Sequence, residues 1–107
     1  MNIKEILNKN NFVFKKKYGQ NFLKDDNILN NIVKAANIEK DSLIIEIGIG
    51  AAALTKKLAD TNNQVLGYEI DQSLKSILAE ILADYDNVNI IYDDFLKRNI
   101  KDDISKY

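Results

Sequence analysis

Cysteine, histidine and proline are all absent from the 107 residues. Without cysteine neither a disulfide framework nor a thiolate metal site can form, and without histidine the commonest metal ligand and general base is missing. Zinc chemistry and histidine-based triads are excluded, and no metal is expected. No apolar run approaches the roughly 18 residues that a membrane-spanning helix needs. The opening MNIKEILNKN lacks the uninterrupted apolar core of a signal peptide. A soluble, cytoplasmic protein without membrane contact is the expectation, and the lack of proline decides nothing by itself. At 46% hydrophobic and 29% charged composition the chain can bury one modest core, so it is one domain or a piece of one.

The formal net charge of −1 conceals an asymmetry. Lys15, Lys16 and Lys17 form a basic run, whereas the tail from Asp93 onward is mixed and partly acidic. The run suits either a solvated lysine face or a contact to phosphate.

Apolar Ile3, Ile6 and Leu7 fit a short amphipathic helix or arm. The stretch KKKYGQNFLKDD is punctuated by Gly19 and follows no strand alternation, so it reads as an irregular segment that must lie on some other body. From Asp26 onward Ile28, Leu29, Ile32, Val33, Ala36 and Ile38 keep helical spacing, with Asp25 or Asp26 as N-cap, and predict a helix with one buried face. SLIIEIGIG then AAALTKKLAD reads as strand, tight turn and helix. QVLGYEID is a second strand; the helix after it is capped by Asp71 and striped by Leu74, Ile77, Leu78, Ile81 and Leu82. NVNIIYDD is a third strand, and FLKRNIKDDISKY after it is polar, with no further strand.

Alternating strands and helices with near-continuous apolar strands predict an α/β fold: three parallel strands with right-handed crossovers, the N-terminal half of a doubly wound, Rossmann-like sheet. The first strand of such a fold is central, with strands two and three on one side of it. Its other edge would stay unpaired here, an apolar LIIEI ladder through which the chain is expected to self-associate.

Three features at strand tips carry the chemistry. EIGIGAA, from Glu46 to Ala52, places Gly48 and Gly50 in the turn between first strand and helix, where backbone can approach a ligand. Ala53 stands where the dinucleotide pattern G-x-G-x-x-G needs its third glycine. An acidic residue followed by x-G-x-G is also the first motif of class I methyltransferases, whose ligand is S-adenosylmethionine; a purely structural turn is the third reading. Glu69, 21 positions after Gly48, ends the second strand, where a carboxylate can accept both ribose hydroxyls of an adenosine. Because Asp71 is placed to cap the next helix, Glu69 is expected to be free for ligand. Asp94, beyond the third strand, can accept an adenine exocyclic amine or be a solvated turn residue. Together the three features predict one pocket at the switch point of the sheet.

KKKYGQNFLKDDNILNNIV, followed in order by IIEIGIGAAALT, YEID and IIYDDF, resembles the bacterial ribosomal RNA adenine dimethyltransferases of the small subunit, from about Ile3 to Leu96. The resemblance implies S-adenosylmethionine as cofactor and the immature small ribosomal subunit and its RNA as partner. It implies that Asn21 and Leu23 line the methionine side with Gln20 nearby, that Gly48, and with it Gly50, meets the cofactor through backbone, that Glu69 holds the ribose and that Asp94 holds the adenine. Lys15, Lys16 and Lys17 are candidate RNA contacts. Residues 1–24 would then be an arm carrying QNFL and residues 25–107 a partial cofactor-binding domain.

Ile49 stands where the family usually has proline, which could loosen the turn, and Ala52 replaces a frequent glycine. The family's Asn-Leu-Pro-Tyr motif, which would grip the flipped adenine, does not occur in the 107 residues. The chain alone is therefore expected to be catalytically incompetent, the cofactor-binding piece of a methyltransferase. The related macrolide-resistance enzymes that methylate large-subunit (23S) RNA also carry QNF and EIG-x-G and are the nearest alternative. A non-catalytic nucleotide- or RNA-binding module and a dinucleotide-dependent dehydrogenase piece are the others.

Overall fold

A computed structural model of the chain describes residues 2–12 and 25–107. The segment that contains Lys15, Lys16, Lys17, Gln20, Asn21 and Leu23 lies outside the described residues. Three parallel strands, β1 (Leu43–Ile47), β2 (Gln64–Tyr68) and β3 (Val88–Ile91), lie in the order β1-β2-β3. Helix α1 (Ile3–Lys9) and helix α2 (Asp26–Ala35) precede the sheet. Helix α3 (Ala53–Ala59) joins β1 to β2, helix α4 (Lys75–Ile81) joins β2 to β3, and helix α5 (Ile100–Ile104) follows β3.

Side chains alternate across a strand, so the register decides which residues meet. Ile44, Val65 and Val88 form one row and Glu46, Gly67 and Ile90 the next, both on the face covered by α3 and α4. On that face Leu74, Ile77, Leu78, Ile81 and Leu82 are buried, as their helical spacing predicts. The carboxylate of Asp71 accepts the Ser73 N–H at 3.0 Å and starts the single 3-10 turn, Gln72–Leu74, that leads into α4. Helix α1 seats Ile6 and Leu7 in the same cluster, and Lys9 pairs with Glu80 of α4 at 3.0 Å.

Asp25, rather than Asp26, caps α2, taking the N–H groups of Asn27 and Ile28. The buried face of this helix is narrower than its periodicity predicts. Leu29 is buried and Val33 packs beneath it, but Ile28 and Ile32 are 46% and 39% exposed. Helix α2 flanks α3, and the row that carries Ile28 and Ile32 stays partly outside.

The opposite face is covered unevenly. Leu66 and Tyr68 of β2 are buried, and the Tyr68 ring meets Phe95 edge-on at 5.0 Å. Their partners in register on β1, Ile45 and Ile47, are 40% and 59% exposed, and β1 pairs only with β2 among the described strands. The polar segment after β3 holds structure that its composition does not announce. Arg98 donates to Asp103 through Nη2 (2.7 Å) and Nε (3.1 Å) and to Asp93 through Nη1 (3.2 Å), and the Tyr68 hydroxyl donates to Asp103 at 2.9 Å. This fork clasps α5 onto the sheet.

Hydrogen bonding from Arg98 holds the Asp103 carboxyl below its ordinary value of 3.8, while burial and then Asp103 push the Tyr68 hydroxyl up to about 12. A folded-state value depressed in this way contributes stability that is present above 3.8 and is lost as pH falls through the lower folded value. Asp103→Asn should remove this acid-limb loss and let Tyr68 ionise at lower pH. Tyrosine absorbance titration and acid unfolding check it; a variant with both curves unchanged would refute the clasp.

Candidate cofactor site

The turn behind β1 is built on left-handed backbone. Gly48 and Gly50 have φ of +80° and +56°, and Ala52 has φ of +67°. Alanine there costs about 1 kcal/mol relative to glycine, the residue that the family resemblance implies at this position. A Cβ built on Gly48 would meet nothing within 4 Å among the described residues, and its positive φ makes the glycine serve the backbone turn. Its N–H donates to the Tyr68 carbonyl at 2.8 Å, which carries the β1–β2 ladder into the turn.

Ile49, which stands where the family resemblance implies proline, is held by packing. Its side chain is buried over Gly67, where a Cβ would collide with it, and reaches towards Ile90. Packing anchors the turn where a ring would otherwise stiffen it. Gly67 is glycine for this close approach.

Glu69, at 3% exposure, is less free than its position suggested. Its Oε1 accepts the Gly50 N–H and its Oε2 accepts the Asp71 N–H, both at 2.9 Å. The carboxylate thus ties the turn behind β1 to the turn behind β2. Each oxygen keeps a further lone pair, so the group can still accept from a ligand. Burial, then the Glu69 charge, pushes the Tyr92 hydroxyl up, which places the end of β3 in the same field. Asp94 stands beyond β3, half-buried, where its Oδ1 accepts the Leu96 N–H at 3.0 Å and caps the turn Phe95–Lys97. Glycine turn and Glu69 are joined by hydrogen bonding; Asp94 lies at the third strand tip without a bond to either.

The acidic residue that opens the glycine motif was not among those expected to meet a ligand. Glu46 is 8% exposed on β1, and the Thr55 hydroxyl of α3 donates to it at 2.6 Å. Burial pushes its carboxyl up to about 7, with the Thr55 bond opposing and the Glu69 charge adding. The signal was its place on the apolar row of the strand, two residues before Gly48.

Parallel strands with helical crossovers, a glycine turn after the first and an acidic residue at the tip of the second define the opening half of a Rossmann-like α/β domain. The sequence matches the family described as "Ribosomal RNA adenine dimethylase" over residues 11–106, and the chain belongs to that family. Ribosomal RNA small subunit methyltransferase A of Macrococcus caseolyticus is 49% identical over 104 residues, 97% of this chain and 35% of that protein. The chain thus spans about a third of the curated relatives it matches. The solved 23S rRNA methyltransferase ErmE is 36% identical with a TM-score of 0.67, over 74% of this chain and 32% of that one. Coclaurine N-methyltransferase, solved with N-methylheliamine and SAH, has a TM-score of 0.62 at 21% identity over 73% of this chain and 27% of its own, and shares the fold alone.

Because its folded-state value lies above the unfolded one, Glu46 contributes stability that is full below pH 4.5 and is lost as pH rises through about 7. A shift of this size corresponds to on the order of 3 kcal/mol. Glu46→Gln keeps an acceptor for Thr55 and should flatten the pH dependence across that window. Urea titrations at several pH values decide it, and a slope identical in both proteins would assign the proton elsewhere.

Proposed function

We propose that the chain forms the S-adenosylmethionine-binding part of a cytoplasmic enzyme that dimethylates exocyclic amines of adenines in small-subunit ribosomal RNA. The carrying observation is the Glu69 carboxylate, fixed by Gly50 and Asp71 N–H groups beside the glycine turn at Gly48, in a chain of the adenine dimethylase family. These residues fit an adenosine-bearing ligand: a fixed acceptor for ribose hydroxyls next to backbone that no Cβ shields. Glu69 takes the ribose, Gly48 and Gly50 line the approach through backbone, and Asp94 takes the adenine amine. Asn21 and Leu23, with Gln20, attend the methionine end, and Lys15, Lys16 and Lys17 meet RNA. Residues 1–24 act as the arm and 25–107 as the partial domain.

When bound, the cofactor supplies an electrophilic methyl on sulfur. The protein's part is to hold donor and acceptor in line, since positioning supplies most of what such a transfer needs. The chain contributes the donor side and by itself binds without turnover. The 23S-type alternative draws support from the likeness to ErmE, and the small-subunit reading from the higher identity to the Macrococcus protein.

Calorimetric titration with S-adenosylhomocysteine should give binding that Glu69→Gln and Asp94→Ala each weaken about ten-fold, whereas a nicotinamide dinucleotide gives none. Absence of binding, or both variants matching the parent, sinks the cofactor reading. Grafted in place of the corresponding third of the Macrococcus relative, the chain should support adenine dimethylation in small-subunit RNA and not in 23S RNA; the reverse pattern selects the alternative. The bare β1 edge supports self-pairing of the isolated chain. Sedimentation should therefore show concentration-dependent association, and a monomer at all concentrations would count against it.

A further inference from the structure

We propose that a cleft along the side of α3 facing away from the sheet binds the phosphodiester backbone of RNA through Lys4 and Lys56. This rests on the reading of the chain as part of an RNA-modifying enzyme, but it concerns a surface apart from the cofactor site.

The sequence of α3 divides between two faces. Thr55, Leu58 and Ala59 are buried towards the sheet, while Ala53, Lys56, Lys57 and Asp60 line a cleft of about 460 Å³. The start of α1 and the start of α2 close its sides, with Ile3, Lys4 and Leu29 among the lining residues, and Tyr85 stands at the far end. A cleft of this volume has room for a sugar-phosphate unit.

Three lysines and two aspartates share it, and their pairing decides its charge. Lys57 lies 3.8 Å from Asp26, and the Asp60 carboxylate accepts the Tyr85 hydroxyl at 3.0 Å. Lys9, the other lysine of α1 towards its end, is spent on Glu80. Lys4 and Lys56 have no side-chain partner among the described residues. Two ammonium groups without an ion-pair partner among the described residues, in a lining that carries three lysines against two aspartates and so an excess of positive charge, suit a ligand with repeated single negative charges and a ribose between them. An RNA backbone has that form, and its binding is driven by counterion release. The cleft begins at Ala53, the residue after the glycine turn, so RNA held here would run along the helix layer towards the strand tips where adenosine chemistry is proposed.

The test uses the 107-residue chain, a single-stranded 16-nucleotide RNA and the double variant Lys4→Gln/Lys56→Gln. Lys101→Gln/Lys106→Gln, on and after α5, controls for net charge. At low salt the cleft variant should bind RNA roughly ten-fold more weakly, and its salt slope should fall by about 1.4, at roughly 0.7 per phosphate contact in a single strand. The α5 control should lose much less, and S-adenosylhomocysteine affinity should be the same in all three proteins. Equal losses in both variants, an unchanged slope, or no RNA binding by the parent chain would each overturn the proposal. So would poly-glutamate displacing the RNA as well as unlabelled RNA does, since the cleft would then recognise an acidic peptide. Failure of the cofactor titration with the RNA result intact would instead remove the cofactor reading and leave the cleft standing.

Discussion

The Glu69 carboxylate is the joint on which the site depends. Parallel strands end without a hairpin to connect them, and beyond the single backbone bond from the Gly48 N–H to the Tyr68 carbonyl the turns behind β1 and β2 need a further tie. One carboxylate with an N–H from each turn supplies it, at two charge-assisted bonds of 2.9 Å. It is also the acceptor proposed for ribose. The same group thus shapes the mouth of the site and presents the atoms that would recognise a ligand. Ile49 over Gly67 completes the arrangement from below, fixing by packing what Glu69 fixes by hydrogen bonding.

The two faces of the sheet have unequal histories of burial. The helix face is closed by rows of aliphatic side chains from α1, α3 and α4, and it carries one buried carboxyl, Glu46, whose charge the burial resists. The other face is closed over β2 and β3 by Tyr68, Phe95 and the Arg98 fork, and remains open over Ile45 and Ile47. Among the described residues β1 pairs with β2 alone, so the exposed Ile45 and Ile47 lie on an edge strand.

Charge is also distributed unevenly. Glu46, Glu69, Asp71 and Asp94 gather at the carboxyl ends of the strands, whereas Lys4, Lys56 and Lys57 lie along the helix layer together with Asp26 and Asp60. A net charge of −1 therefore does not describe either surface.

Local pattern was enough for the α/β class, the strand order, the stripe of α4 and the three strand-tip positions. Each rests on interactions between near neighbours: apolar spacing, a glycine turn, an aspartate cap. QNFL and EIGIGAAALT were enough for the family, which the match over residues 11–106 bears out. What the sequence could not determine was how polar side chains far apart in the chain pair with one another. Glu69 with Gly50, Tyr68 with Asp103, Thr55 with Glu46 and Lys57 with Asp26 are separated by 19, 35, 9 and 31 positions and met only when the sheet was assembled. The same holds for Ile28 and Ile32, apolar by periodicity yet left partly outside in the folded chain. Periodicity states which side chains favour burial; only tertiary packing decides which of them find a surface and which charges find a partner.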